Sequence, residues 1–460
     1  MPALAKDQMA AIATTRFGLG ARPGEIQAAL GDPKGFLADQ IRGRGADQPL
    51  GGEETASQRL GKMTDYFARR AQGEGKDKSQ PDPLKDVAAS LRDQKMADFL
   101  ARTRLGATTD AAFRERWLLF WANHFTVTGD KLNTGLLVGA FENEALRPHV
   151  FGRFEDLLVA SSTHPCMLYY LDQAASIGPN SNTAIAQHRQ NHQSGLNENL
   201  AREIMELHTV GLDAGYTQKD VTEFARAMTG FTVAGAKDPK NGEFIFVSQA
   251  HEPGARTVLD HRYGGQSQEQ ALAIMSALAA NPHTARHISY KLARHFVNDT
   301  PPPTLVAQLE RAWLDSGGRL DVVANALINA PEAWDPTPVK FKTPNEFILS
   351  CWRAIGTEPQ SADRVAPILI SLGQKPYSAP SPKGWEDDAQ TWCTPDALIK
   401  RLRYSESFAA ALGPDIDPNQ IAASALGARL TPGVAKVIAR TETRREALAL
   451  LFMSPEFQRR

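Results

Sequence analysis

Residues 197–211 read NENLAREIMELHTVG, and this stretch decides the architecture. Projected at roughly 100° per residue, its side chains separate into two arcs. Glu198, Arg202, Glu206 and Glu203 fall in that order on one arc of about 140°. Leu207, Leu200, Ile204, His208, Ala201 and Met205 fill the opposite arc. An apolar stripe of that width belongs to a helix with one face on a core. Asn197 suits the N-cap, Glu198 sits in the first turn where the helix dipole favours a carboxylate, and Gly211 supplies the stop.

The same 3.6-residue period runs outward in both directions, punctuated by glycine and proline. It predicts helices over Val87–Arg104, Ala111–His124, Gln218–Met228, Gln268–Ala280, Thr284–Val297, Thr304–Leu314 and Asn345–Ile355, with a closing series between Pro395 and Phe452. Strand signals are few. The best is Phe244–Val247 followed by Thr257–Leu259, which predicts one small hairpin. The expected fold is mainly α, a large multi-helix globular array with a small β-hairpin insertion. Residues 1–70 read as an N-terminal helical segment and 71–84 as a polar loop or linker. Residues 85–300 read as a central helical core, and 301–460 as a C-terminal helical region packed on it. Two segments interrupt the periodicity. Gln72–Pro83 (QGEGKDKSQPDP) is polar and rich in breakers. Ser176–Ser194 reads as a long loop carrying His188, Arg189 and His192, either functional or a flexible connector.

Composition narrows the function classes. The 460 residues carry a net charge of −1, with 42% hydrophobic and 22% charged residues. This is ordinary globular composition, without the basic excess of a nucleic-acid binder. No window approaches the 18 apolar residues of a membrane span. Cys166, Cys351 and Cys393 are odd in number and widely spaced, which argues against a disulfide framework or zinc spacing. The opening residues, MPALAKDQMAAIATTRFGLG, show no apolar run of signal-peptide length. Nucleophile-elbow, P-loop, dinucleotide and EF-hand motifs are absent from the sequence.

Candidate chemistry concentrates in the 197–211 helix. Its three carboxylates and one arginine have a bland interpretation as a solvent face with Glu198–Arg202 and Arg202–Glu206 pairs. If the arc faces a cleft, crowding would split the carboxylate pKa values into an acid and a base, or the glutamates would hold a hard cation. Glu203, Glu206 and His208 are then the candidate ligands of a divalent metal ion. The structural alternative for His208 is a core histidine with one nitrogen on a carbonyl. His124 closes the aromatic helix RERWLLFWANHFT, where the dipole would favour its cation and where it either caps or enters a pocket. Trp117, Phe120 and Trp121 of that helix are expected in the core. His164 precedes Pro165 at a helix start, where an imidazole can accept a free backbone N–H. His283 and His287 form an i,i+4 pair without the glutamate of a zinc-protease motif. Lys291 and His295 continue their stripe, so this face reads as a cationic surface.

Taken together and in order, these residues resemble the bacterial family called domain of unknown function 1800. The stretches that carry the resemblance include RFGLGARPGE, RERWLLFWANHF, HPCMLYYLDQAASIGPNS, GLNENLAREIMELHTVG, GYTQKDVTEFARAMTGF, KLARHFVNDTPPP, KFKTPNEF and LGQKPYSAPSPKGW. The family motif covers Asn197, Glu198, Arg202, Glu203, Glu206 and His208, then Thr217, Asp220, Arg226 and Gly230, and Gly384-Trp385 near the end. The resemblance implies no activity. It implies a protein that often looks exported and is often encoded beside a second uncharacterised family, hence a partner protein or envelope work. Phe231 stands where the family usually has tryptophan, and Asn281 where a histidine is common. With no export signal in view, the compartment stays open.

Two functions remain in contention. One is an enzyme with a carboxylate/His cleft built from Glu198, Arg202, Glu203, Glu206 and His208, joined by His124 and His164. It would hydrolyse or modify a saccharide or peptide polymer, or a small molecule, by acid/base or metal-assisted chemistry. The other is a non-catalytic helical binding or scaffold protein acting with a partner.

Overall fold

The computed structural model describes residues 4–42, 54–73, 82–189 and 195–460. The polar segment expected over 71–84 lies largely outside them, as does His192. Among the described residues there are 24 α-helices and two two-stranded antiparallel sheets. One continuous hydrophobic cluster runs from Ala10 to Phe457. No helix is long and apolar enough to cross a membrane among the described residues.

Two adjacent helices form the centre. Lys85–Thr108 is the longest, and Ala112–His124 follows it closely. Ala112–His124 buries Trp117, Phe120 and Trp121 as expected, but also Glu115 and Arg116. A helix apolar on one side only would leave those charges in water. Here each is paired inside: Arg147 reaches Glu115 at 2.7 Å, and Arg116 reaches Glu346 at 3.1 Å. The longest helix is tied in the same way, because Arg59 forks onto both oxygens of Asp98 at 2.7 and 3.0 Å. Gly139 must lack a side chain there, since a Cβ would come within 2.2 Å of Asp98 Oδ2.

The two expected strands form, but each pairs with a strand the sequence did not signal. Phe244–Phe246 runs antiparallel to Phe231–Val233, and Arg256–Val258 pairs with His261–Tyr263. There are thus two small ribbons in place of one hairpin. Leu259 and Asp260 both adopt positive φ, which makes the tight two-residue connection that closes the second ribbon. The 176–194 segment also departs from the expected loop. Ser181 accepts the Ala184 N–H and starts a helix over Asn182–His188.

Among the described residues three α-helices widen into single π turns, at Ala13–Phe17, Glu142–Leu146 and Ile204–His208. Such turns are rare and concentrate at functional sites. The second brings in Glu142, and the third falls inside the 197–211 helix.

Candidate active site

The 197–211 helix divides much as its projection requires. Leu200, Ala201, Ile204, Met205 and His208 are buried, and the charged residues lie half-exposed. Asn197 accepts the Asn199 N–H at 2.8 Å, and Gly211 turns the chain at φ 77°. Glu198 is the best-held carboxylate. Thr222 donates to it at 2.6 Å, Gln218 at 2.7 Å and Arg202 at 3.2 Å, and these donors hold its carboxyl below the usual range. The Glu198–Arg202 pair therefore forms. No Arg202–Glu206 ion pair accompanies it among the described residues. Glu206 lies inside the π turn that begins at Ile204.

Burial, and then the neighbouring Glu206, raises the Glu203 carboxyl. These two carboxylates crowd each other as the sequence suggested. His208 is buried in the core, near Lys291 and His287. Among the described residues no group of three or more His, Cys, Asp or Glu side chains gathers to hold a metal ion, and Glu203, Glu206 and His208 do not converge.

His208 is buried, but neither ring nitrogen has a hydrogen-bond partner. A core histidine would have one on a carbonyl. Burial, then Lys291 and His287, pushes its imidazole down to about 3. His124 is not the cation expected at a helix end. Burial and then Lys291 hold it neutral, and its Nε2 lies 3.1 Å from the His208 carbonyl. His164 is a cap: its Nδ1 accepts the Cys166 N–H at 3.1 Å. The stripe expected as a cationic surface on helix Pro282–Phe296 is a packed seam instead. His287 bonds the Thr209 carbonyl at 2.7 Å, Lys291 meets His124 at 2.9 Å, and only His283 of the i,i+4 pair is exposed.

The cavity that carries concentrated chemistry lies elsewhere. It encloses about 130 Å³ between the two central helices, the end of helix Pro282–Phe296, the start of helix Pro344–Ala354, and the 369–387 segment. Its walls include the charged side chains of Arg102, Glu142, Arg116, Glu346, Lys375, Glu386 and Asp387, with His295, Tyr377, Asn123 and Trp385 beside them. Most of these charges are paired within the protein. Arg102 meets Glu142 at 2.6 Å, and Glu346 lies 3.1 Å from Arg116 and 2.8 Å from Arg460. Burial opposes the Glu346 charge, but Arg460 and Arg116 overcome it and hold the carboxyl down at about 2.

His295 is placed differently. Its Nδ1 lies 2.7 Å from Asp387 Oδ2, and its Nε2 is buried without a partner. Burial opposes the Asp387 charge, yet His295, Lys340 and Arg460 keep the carboxyl ionised far below its usual range. A carboxylate can only accept, so Nδ1 carries the proton and Nε2 keeps its lone pair. Burial is also what lowers the imidazole to about 4, outweighing Asp387, so it is neutral at pH 7.

Consecutive anchors deliver Asp387. Asn123 accepts the Trp385 N–H at 2.8 Å and donates to its carbonyl at 3.0 Å. Lys340 pairs with Asp387 at 3.1 Å, Arg294 with Asp388 at 2.9 Å, and Asp299 accepts the Ala389 N–H at 2.8 Å. Gly384 sits at φ 86°, and a Cβ there would come within 2.4 Å of the Asn123 carbonyl. Sequence reasoning did not single out Arg116, Asn123, Glu346 or Asp387, and took His295 for a surface residue. The signal was charge inside otherwise apolar or turn-forming stretches: RERWLLFWANHF, KFKTPNEF and KGWEDD.

The fold and this cavity define a helical protein with a buried, charge-paired pocket. The chain belongs to the family described as "Protein of unknown function (DUF1800)", which it matches over residues 12–459. No curated protein and no solved structure matches it.

Proposed function

We propose that the protein is an acid–base enzyme centred on the His295–Asp387 couple, which hydrolyses or otherwise modifies one group of a polymer such as a saccharide or peptide. The observation that carries this reading is the 2.7 Å contact between His295 Nδ1 and Asp387 Oδ2, two residues that line the cavity, with Nε2 buried and unpartnered. In such a couple the carboxylate fixes the tautomer and orients the ring, leaving Nε2 to take a proton from water or a substrate hydroxyl. The proton then passes to the leaving group, and the ionised Asp387 stabilises the imidazolium in between. The cavity, at about 130 Å³, is close to the ~150 Å³ void that admits benzene. It suits a single ring or side chain, hence an end or pendant group of a longer substrate.

The test is a panel of oligosaccharides and peptides with products read by mass spectrometry. Wild type should turn over at least one member. His295→Gln should lower kcat by about 100-fold or more at an unchanged melting temperature. Equal turnover by wild type and H295Q, or no turnover or binding of any member by wild type, would overturn the reading.

One observation favours the alternative of a non-catalytic scaffold acting with a partner protein. Asp387 also pairs with Lys340, so part of its charge joins the ion network between helices. Under that reading D387N unfolds the site while H295Q alters neither binding nor turnover.

A further inference from the structure

A second cleft, of about 330 Å³, opens between helix Ala56–Ala71, the first half of helix Lys85–Thr108 and the stretch that leads into helix Leu132–Phe141. No residue lines both this cleft and the cavity that holds His295. It exceeds the ~150 Å³ void that takes up benzene, so a ring-sized side chain and a head group fit together. The walls are apolar: Met63, Tyr66 and Phe67 from the first helix, Leu91 from the second, Leu132 and Leu136 from the third. Phe67 and Leu132 are 50% and 60% exposed, so this apolar surface is open to a ligand.

Polar groups gather at one end. Ala88, Leu91 and Lys95 share a face of their helix, whose rise sets Lys95 about 10 Å from Ala88. Lys95 Nζ donates to the Gly129 carbonyl at 3.1 Å and to Ser378 Oγ at 3.2 Å. An ammonium carries three N–H groups, so one is left to donate. The exposed carboxylate of Asp130 stands 3.8 Å away. Its Oδ1 accepts from Ser378 Oγ at 2.9 Å and lies 3.6 Å from Lys375, whereas Oδ2 accepts no hydrogen bond among the described residues. The other cations of the cleft are taken up by acids outside its lining, Arg92 by Asp93 at 3.0 Å and Lys131 by Asp172 at 2.6 Å.

One donor and one acceptor of opposite charge thus stand side by side at the end of an apolar slot. An acid alone would meet Asp130 as a like charge, and an amine alone would meet Lys95 as one. An α-amino acid carries both complementary charges on a single carbon. We propose that this cleft binds a free hydrophobic amino acid, its carboxylate on Lys95, its ammonium on Asp130 and its side chain against Phe67 and Leu132. The site is independent of the His295–Asp387 couple.

Isothermal titration of the full chain with L-phenylalanine, phenethylamine and hydrocinnamate, which share the ring and differ in the head group, tests this. L-Phenylalanine should bind at least about tenfold more tightly than either analogue, because each head-group charge adds a charge-assisted contact. Asp130→Asn should bring L-phenylalanine down to the level of hydrocinnamate, and Lys95→Met to that of phenethylamine. Phe67→Ser, at an exposed position, should weaken all of them at an unchanged melting temperature. Should a variant fail to fold, the wild-type comparison decides alone. No saturable binding of L-phenylalanine, equal affinity for the amino acid and its analogues, or wild-type affinity in folded D130N and K95M would overturn the proposal.

Discussion

His295 Nδ1 and Asp387 Oδ2 lie 2.7 Å apart although 92 residues separate them in the chain. The contact joins the last turn of helix Pro282–Phe296 to a clipped segment in which residues 385, 387, 388 and 389 each have a partner elsewhere. A neutral imidazole beside an ionised carboxylate results, because burial suppresses the histidine charge while Lys340 and Arg460 support that of the acid.

The buried imidazoles set the acid limb of stability. His208 and His295 hold their protons only below about 3 and about 4, and His124 is also depressed, against an unfolded value near 6.5. The unfolded chain thus binds protons first as pH falls. Stability is whole above about pH 6.5 and declines toward pH 4. Urea midpoints should fall between pH 6.5 and 4.5, before most carboxylates titrate. A flat profile across that interval contradicts the neutral assignments.

His208→Leu should stabilise the protein. The ring is buried with two unpartnered nitrogens, and leaving a buried polar group unsatisfied costs about 1–3 kcal/mol. Leucine has similar bulk and no such cost, so the thermal midpoint should rise and the acid limb should flatten. A drop in midpoint would mean that the ring nitrogens are satisfied in solution.

Two ion pairs should respond very differently to loss of one member. Glu346 is buried between Arg116 and Arg460, so Glu346→Gln leaves two guanidinium groups short of a counter-charge and should cost about 3–5 kcal/mol. Arg202 and Glu198 are 37% and 29% exposed, and Arg202→Met should cost no more than about 1 kcal/mol. Chemical denaturation of both variants checks the contrast. Equal losses would show that burial does not decide the strength of these pairs.

Gly384→Ala should displace the segment that carries Asp387. The residue has positive φ, and the added methyl would press on the Asn123 carbonyl and on Thr126 Oγ1. Loss of stability by about 2 kcal/mol or more is expected, together with a changed 15N shift of His295 Nδ1 as its acceptor moves. An unshifted imidazole resonance would show that the turn does not position Asp387.

The 3.6-residue periodicity was sufficient for the helical architecture and for which face of the 197–211 helix is buried, because apolar spacing along one helix is local information. Residue type also placed His164 at a helix start, where proline and free N–H groups meet. The sequence could not reveal the π turn that begins at Ile204. It was equally silent on which strands pair, since both depend on contacts across the fold. The site shows the same division most clearly. Arg116, Glu346, His295 and Asp387 lie on separate elements, and taken singly each resembles an ordinary surface charge. Their pairing and their protonation states arise only when packing removes them from water, because the cost of burying a charge has no local signature in the chain.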